Sequence, residues 1–221
     1  MARTKPPLMV IEPTPTRFLR QKVDVFHPRN KHGISRLLVR SLPNLSDRSR
    51  RGVLSVGPLS FQCAIGRRGI GAKRFEGDSM TPLGSYKIVE WYGRFDQFPG
   101  GRSRLQMISR EKGWCDDPTS FCYNRPVWLP CPFRTEALWR DDQLYDLVGV
   151  IDFNFRPRIR GRGSAIFIHV AREDLAPTEG CIAVAGRALQ ILHSMLSAKP
   201  QILIGAENRR RFPKIAEPTR T

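Results

Sequence analysis

The chain has no two cysteines in CxxC spacing, which excludes zinc-ribbon and thioredoxin-type centres. No apolar run approaches the ~18–20 residues needed to span a bilayer. Residues 1–36 alternate Pro, Arg and Lys with brief apolar pieces such as Leu8 to Ile11, so no signal-peptide core is present. The start as written therefore predicts a cytoplasmic protein, and export would place it in the cell envelope or periplasm. The sequence also lacks internal repeats, an RNA-binding aromatic signature, zinc-finger spacing and a helix-turn-helix pattern, which argues against specific nucleic-acid recognition. Acidic residues are scarce: 20 Asp+Glu stand against 37 Lys+Arg, a formal net charge of +17.

That charge is unevenly spread. Residues 1–36 carry eight basic and two acidic side chains, and residues 207–221 carry five and two. Basic tails of this kind favour electrostatic contact with polyanions such as acidic envelope polymers, and a generally cationic, soluble surface is the plainer reading. With 221 residues, 40% of them hydrophobic, the chain suits one domain whose core holds without disulfide staples. The five cysteines are Cys63, Cys115, Cys122, Cys131 and Cys181. Cys115, Cys122 and Cys131 are close enough in sequence to form a bridge in an oxidising compartment, and the odd count leaves at least one thiol free.

The punctuation by Gly and Pro divides the chain into a flexible basic leader (1–36), a folded domain (37–206) and a basic tail (207–221). Within the domain the signals are mostly β. Val53 to Val56 and Leu59 to Ile65 flank Gly57-Pro58 as a hairpin, and Ser85 to Tyr92 alternates as a half-buried strand. Phe95 to Arg104 and Trp114 to Pro132 read as long loops, of the kind that make lids or binding surfaces. Leu147 to Phe155 and Ala165 to Val170 read as interior strands around the basic turn Arg156 to Gly163. A helix is expected from Arg187 to about Ala198, with Ala188, Leu189, Leu192, Met195 and Leu196 on one stripe, stopped by Pro200 and followed by a strand from Gln201 to Ile204. His193 on that helix reads as surface or packing. The expected class is a β-rich α+β fold with one main helix after Cys181.

In the segment Ala165-Ile166-Phe167-Ile168-His169-Val170, His169 is the conspicuous polar side chain of a buried strand, and Gly180-Cys181 follows after twelve residues. A thiol attacks a carbonyl as its thiolate, so it needs a neighbour that takes the proton, and a neutral imidazole suits that task near pH 7. Gly180 has no side chain to keep a substrate carbonyl from the backbone, so amides around Cys181 are expected to face a developing oxyanion. A satisfied core histidine and an inert buried thiol would give the same spacing. Trp114, Asp116, Asp117, Tyr123 and Asn124 are candidates to line a groove and hold a substrate ammonium. Asn154 and Thr178 are further candidates to bind substrate, and Asp152 and Asn154 to support the site from the preceding strand. Nothing in the sequence calls for a metal or organic cofactor.

Two longer stretches narrow the choice. Gly161-Arg162-Gly163-Ser164-Ala165-Ile166-Phe167-Ile168-His169, followed by Ala176-Pro177-Thr178-Glu179-Gly180-Cys181-Ile182-Ala183, resembles the active-site signature of the YkuD-type L,D-transpeptidases. Upstream, Gly77-Asp78-Ser79-Met80-Thr81-Pro82-Leu83-Gly84-Ser85-Tyr86 is similar to that family's Thr-Pro-x-Gly turn leading into a strand. The resemblance spans roughly residues 37–206 and looks closer to a short, divergent branch than to multi-domain members. It implies an L,D-transpeptidase-like β-sandwich or barrel, with Cys181 as acylated nucleophile, His169 as base, and the Gly180 and Cys181 amides in the oxyanion hole. The implied substrate is the peptide stem of peptidoglycan, cut after the L-centre of diaminopimelate with release of D-Ala. Transfer to an amine would make a transpeptidase, and transfer to water an L,D-carboxypeptidase. A non-catalytic envelope- or polyanion-binding protein on the same fold is the alternative. Glu179 stands where relatives carry a second His, and Ala183 where a polar residue is common.

Overall fold

The computed structural model describes residues 33–42, 51–94, 96 and 105–205. Residues 1–32, the tail from 206 onward and, apart from Asp96, the expected loop as far as Arg104 lie outside the described residues. In chain order the elements are β1 (Ile34–Ser41), β2 (Arg51–Val56), β3 (Leu59–Ala64), β4 (Ile70–Gly71), β5 (Thr81–Pro82), β6 (Gly84–Gly93), β7 (Gln106–Met107), β8 (Lys112–Cys115), β9 (Arg125–Trp128), β10 (Thr135–Ala137), β11 (Leu147–Ile151), β12 (Phe167–Val170), β13 (Ile182–Val184), α1 (Gly186–Met195) and β14 (Leu196–Ile204). The fold is mostly β with a single helix among the described residues. β1 starts at Ile34, three positions ahead of Leu37.

The main sheet runs β11-β12-β13-β3-β2-β1-β14-β6-β7, and β11 pairs with β6 as well. This second pairing closes the strands from β11 round to β6 into a barrel. Strand alternation then sorts side chains between two cores. Leu147 and Ile151 of β11, Ile168 of β12, and Ile182 and Val184 of β13 enter the larger core with Leu54 and Ile88. Val148 and Val150 of β11 and Phe167 of β12 face the other way, into a smaller core with Trp114, Tyr145 and Cys181. A second sheet, β10-β8-β9, supplies Trp114 from β8 and covers that face. β11, β12 and β13 are thus buried on both sides, as their near-continuous apolar sequence predicts.

Local sequence accounts for the turns and ends. β2 and β3 join through Gly57-Pro58, with Val56 opposite Leu59. Gly57 has φ of 54° and the following proline needs a negative φ, the combination of a type II′ hairpin turn. Helix α1 buries Ala188, Leu189, Leu192 and Met195, the expected stripe. It ends at Met195, earlier than Ala198, and Pro200 is not its stop. β14 already begins at Leu196, and its pairing with β1 jumps from Ile34↔Leu196 to Arg36↔Gln201. Pro200 falls in that irregularity, where the ladder asks for no N–H.

The stretch from Trp114 to Pro132, expected as loop, is a second correction. Trp114 and Cys115 end β8, and β9 pairs with it antiparallel, Trp114 opposite Pro126. β9 is an edge strand of its sheet, and there Pro126 is tolerated because a missing donor faces outward. All five cysteines are free, including Cys115, Cys122 and Cys131.

Candidate active site

His169 and Cys181 meet because β12 and β13 run parallel with Ile168↔Ile182 and His169↔Ala183 in register. Cys181 directly precedes β13, so its side chain shares a face with that of Ala183 and, across the ladder, with those of Phe167 and His169. The thiol and the imidazole are therefore diagonal neighbours on one sheet face. Both open onto one cleft of about 1150 Å³, which Thr178, Asp116, Glu136 and Lys73 also line. A cleft of that volume accommodates several peptide residues.

The two groups are held in a definite state. His169 Nδ1 lies 2.8 Å from the Val170 carbonyl oxygen, which accepts its proton and leaves the lone pair on Nε2. The Tyr145 ring stands edge-on to the imidazole, with centroids 5.2 Å apart. The Cys181 thiol donates to the Ala165 carbonyl at 3.2 Å and accepts from the Phe167 amide at 3.4 Å. Among the described residues no hydrogen bond joins the thiol to His169, so attack requires the S–H to turn from Ala165 toward the ring. Ala165 itself has φ of 51°, a left-handed conformation uncommon for a residue with a Cβ.

Burial sets the electrostatics. It pushes the Cys181 thiol up to about 12, reinforced by the Glu136 carboxylate and opposed by the Phe167 amide and the Lys73 ammonium. Burial also pulls the His169 imidazole down to about 4, against the hydrogen bond to Val170. At neutral pH the pair is thiol and imidazole, not thiolate and imidazolium. Glu136, held by the Tyr145 hydroxyl at 2.8 Å, is shifted upward by burial.

The loop that delivers Cys181 is shaped by its own short side chains. Thr178 Oγ1 accepts the Gly180 N–H at 3.2 Å and donates to the Cys181 carbonyl at 2.6 Å. Gly180 has φ of +136°, and a Cβ there would stand 2.8 Å from the Met80 carbonyl oxygen. Only glycine fits both demands. Glu179 bonds the side chains of Arg67 and Ser79 and so clamps this loop to the segment after β3 and the turn before β5.

A family model described as the L,D-transpeptidase catalytic domain matches residues 48–204, which takes in every element from β2 to β14. The chain belongs to the YkuD family. No curated protein matches it. The YkuD match places the Gly-Asp-Ser-Met-Thr-Pro turn and the His169 to Cys181 segment in one catalytic domain, and the barrel brings the two together at the cleft.

The structure redistributes the residues expected to bind substrate. Asp116 lines the cleft, with its carboxylate 3.1 Å from Arg134 Nε, and Thr178 lines it too. The other five do not line it, and their side chains bond within the fold. Trp114 is 1% exposed, and its indole N–H donates to Asn124 at 3.2 Å. Asn124 accepts a second bond from the Ala165 amide and donates to the carbonyls of Phe153 and Asn154. Tyr123 is buried, with its hydroxyl bonded to Glu76 and accepting the Gly163 N–H. Asn154 pins the basic turn through Ile159 and Gly163, and Asp117 caps the Thr119 and Arg134 amides. Asp152 accepts the Lys87 amide of β6, just past the end of β11. Polar residues beside prolines in this stretch signalled a groove, but their side chains close turns and join layers. Sequence reasoning passed over Lys73, Glu136, Arg134 and Arg140, which do line the cleft. None of these four belongs to either motif that resembles the family.

Proposed function

We propose that this YkuD protein is a cysteine acyltransferase acting on the tetrapeptide stems of peptidoglycan, an L,D-transpeptidase that works through a Cys181 thioester. The reading rests above all on one observation: the Cys181 thiol and the His169 imidazole share a sheet face and open onto one cleft. The neutral pair defines the proton inventory. As Sγ attacks the carbonyl before the terminal D-Ala, its proton passes to His169 Nε2 and the carbonyl electrons move onto oxygen. Collapse of the tetrahedral species restores the carbonyl and breaks the C–N bond, and the imidazolium returns the proton to the departing D-Ala amine. An incoming amine then loses a proton to the same nitrogen, attacks the thioester and releases the thiol. Asp116 and Glu136 offer anionic contacts for a substrate ammonium, and Arg134 and Arg140 offer cationic ones for its carboxylates. The oxyanion falls to the Cys181 amide, since Thr178 already engages the Gly180 N–H.

The test is incubation of the purified protein with tetrapeptide muropeptides. Cross-linked dimers with release of D-Ala are expected, and Cys181→Ala abolishes both. Tripeptide and D-Ala without dimers would assign hydrolysis instead. Unchanged tetrapeptide, under conditions that turn over another L,D-transpeptidase, would contradict both enzymatic readings.

A further inference from the structure

The Lys73 side chain is 2% exposed, and its ammonium sits 2.6 Å from Asp78 Oδ1. Asp78 is itself locked, with its carboxylate accepting the Arg74, Phe75 and Met80 amides. A buried ion pair is seldom worth its desolvation as a stabilising device, so its position calls for another explanation. The lysine stem runs past the two glycines of the family signature. A Cβ at Gly163 would come 2.4 Å from Lys73 Cε, and one at Gly180 would come 3.5 Å from Nζ. Gly163, with φ of +116°, thus keeps open the passage for the lysine stem, and the ammonium at its end lies in ordinary contact range of the Gly180 position, next to Cys181.

The ammonium has three donors, and among the described residues Asp78 is its one hydrogen-bond acceptor. Lys73 lines the cleft together with Cys181. The Gly180 N–H, the backbone donor that would ordinarily be aimed at a tetrahedral oxygen, is turned to Thr178. A site that must stabilise negative charge thus has one amide engaged by Thr178 and, beside it, a preorganised cation with two donors beyond the one given to Asp78.

We propose that the Lys73 ammonium stabilises the negative charge that develops on Cys181 Sγ, and then on the carbonyl oxygen of the bound peptide, during acylation. The proposal rests on Cys181 being the nucleophile. No proton leaves Lys73 in this step: the thiol proton goes to His169, and the ammonium acts by its field. Asp78 anchors the lysine through the turn that also leads into β5 and β6, which gives the upstream motif a part in the chemistry as well as in the fold.

The experiment compares wild type with Lys73→Met and with the double variant Lys73→Met/Asp78→Asn, which leaves no unpartnered buried charge. Thermal unfolding first establishes that each variant folds. The alkylation rate of Cys181 by iodoacetamide is then followed from pH 7 to 10 by intact mass, a readout that needs no peptidoglycan. In both variants the line of log rate against pH should lie at least about tenfold below that of wild type. On tetrapeptide stems kcat should fall by a similar factor or more, with KM changed less than about threefold. A folded double variant whose alkylation line coincides with that of wild type overturns the proposal. Loss of fold in both variants also counts against it, because a cation kept for chemistry is dispensable to the fold once its counter-ion is gone. Failure of the acyl-transfer reading would show separately, as absence of turnover by wild type.

Discussion

The residues of the site are ordinary in type and unusual in surroundings. A solvent-exposed thiol and imidazole ionise near 8.5 and 6.5. Here burial separates them further, to about 12 for Cys181 and about 4 for His169. The sign of the pH effect follows. Below about 4 the ring carries a proton and cannot accept another, and above it the neutral ring is ready; the thiol keeps its proton until about 12. The kcat/KM profile for a tetrapeptide should therefore be flat from pH 6 to 9 once the substrate's own ionisations are divided out. An acid limb between 6 and 7 would mean that His169 is solvated and the burial argument wrong. Substitution His169→Gln, which removes the base, should lower kcat by about a hundredfold or more while Cys181 remains open to alkylation.

At the scale of elements, the site depends on where strands begin. β12 is led in by Ala165, two residues before its start, whose amide is held by Asn124 and whose carbonyl holds the thiol. Asn124 is 1% exposed and ties β8, the Phe153–Asn154 turn and the start of β12 into one unit. Asn124→Ala leaves several buried polar groups without partners and should cost roughly 2–4 kcal/mol in urea unfolding, with a drop in kcat from the loosened Ala165 carbonyl. A loss below about 0.5 kcal/mol would show that water replaces the amide without consequence. These elements were unequally legible. The 53–65 hairpin, the strand ending in His169 and the stripe on α1 announce themselves through turn chemistry and periodicity. β8, β9 and β10 do not, because strands of three or four residues interrupted by Pro126, Pro130 and Pro132 carry too few alternations to stand out from loop. The same brevity hid the bonds by which Trp114, Tyr123 and Asn124 join the two layers.

At the scale of the molecule, the barrel does what no local signal encodes. Its closure joins β11 to β6, and parallel pairings set β1 beside β14 and β12 beside β13. The last of these creates the His169–Cys181 juxtaposition, which the sequence reveals only as a twelve-residue interval and a motif. The cleft walls come from regions far apart in sequence, among them the turn around Lys73 and Glu76, Asp116 after β8, β10 with Glu136, β12 with His169, and the loop before β13. Their charges are distributed by tertiary contact, which is why the lining residues Glu136 and Arg140 escaped a reading made motif by motif.

A His169-assisted Cys181 nucleophile lining this cleft should reveal itself in intact-mass spectrometry after exposure to a carbapenem. A single adduct of the mass of the opened drug is expected on Cys181, slowed about a hundredfold or more in His169→Gln and absent in Cys181→Ala. An unmodified wild-type protein, under conditions that fully acylate another L,D-transpeptidase, or an adduct that survives Cys181→Ala, would contradict it.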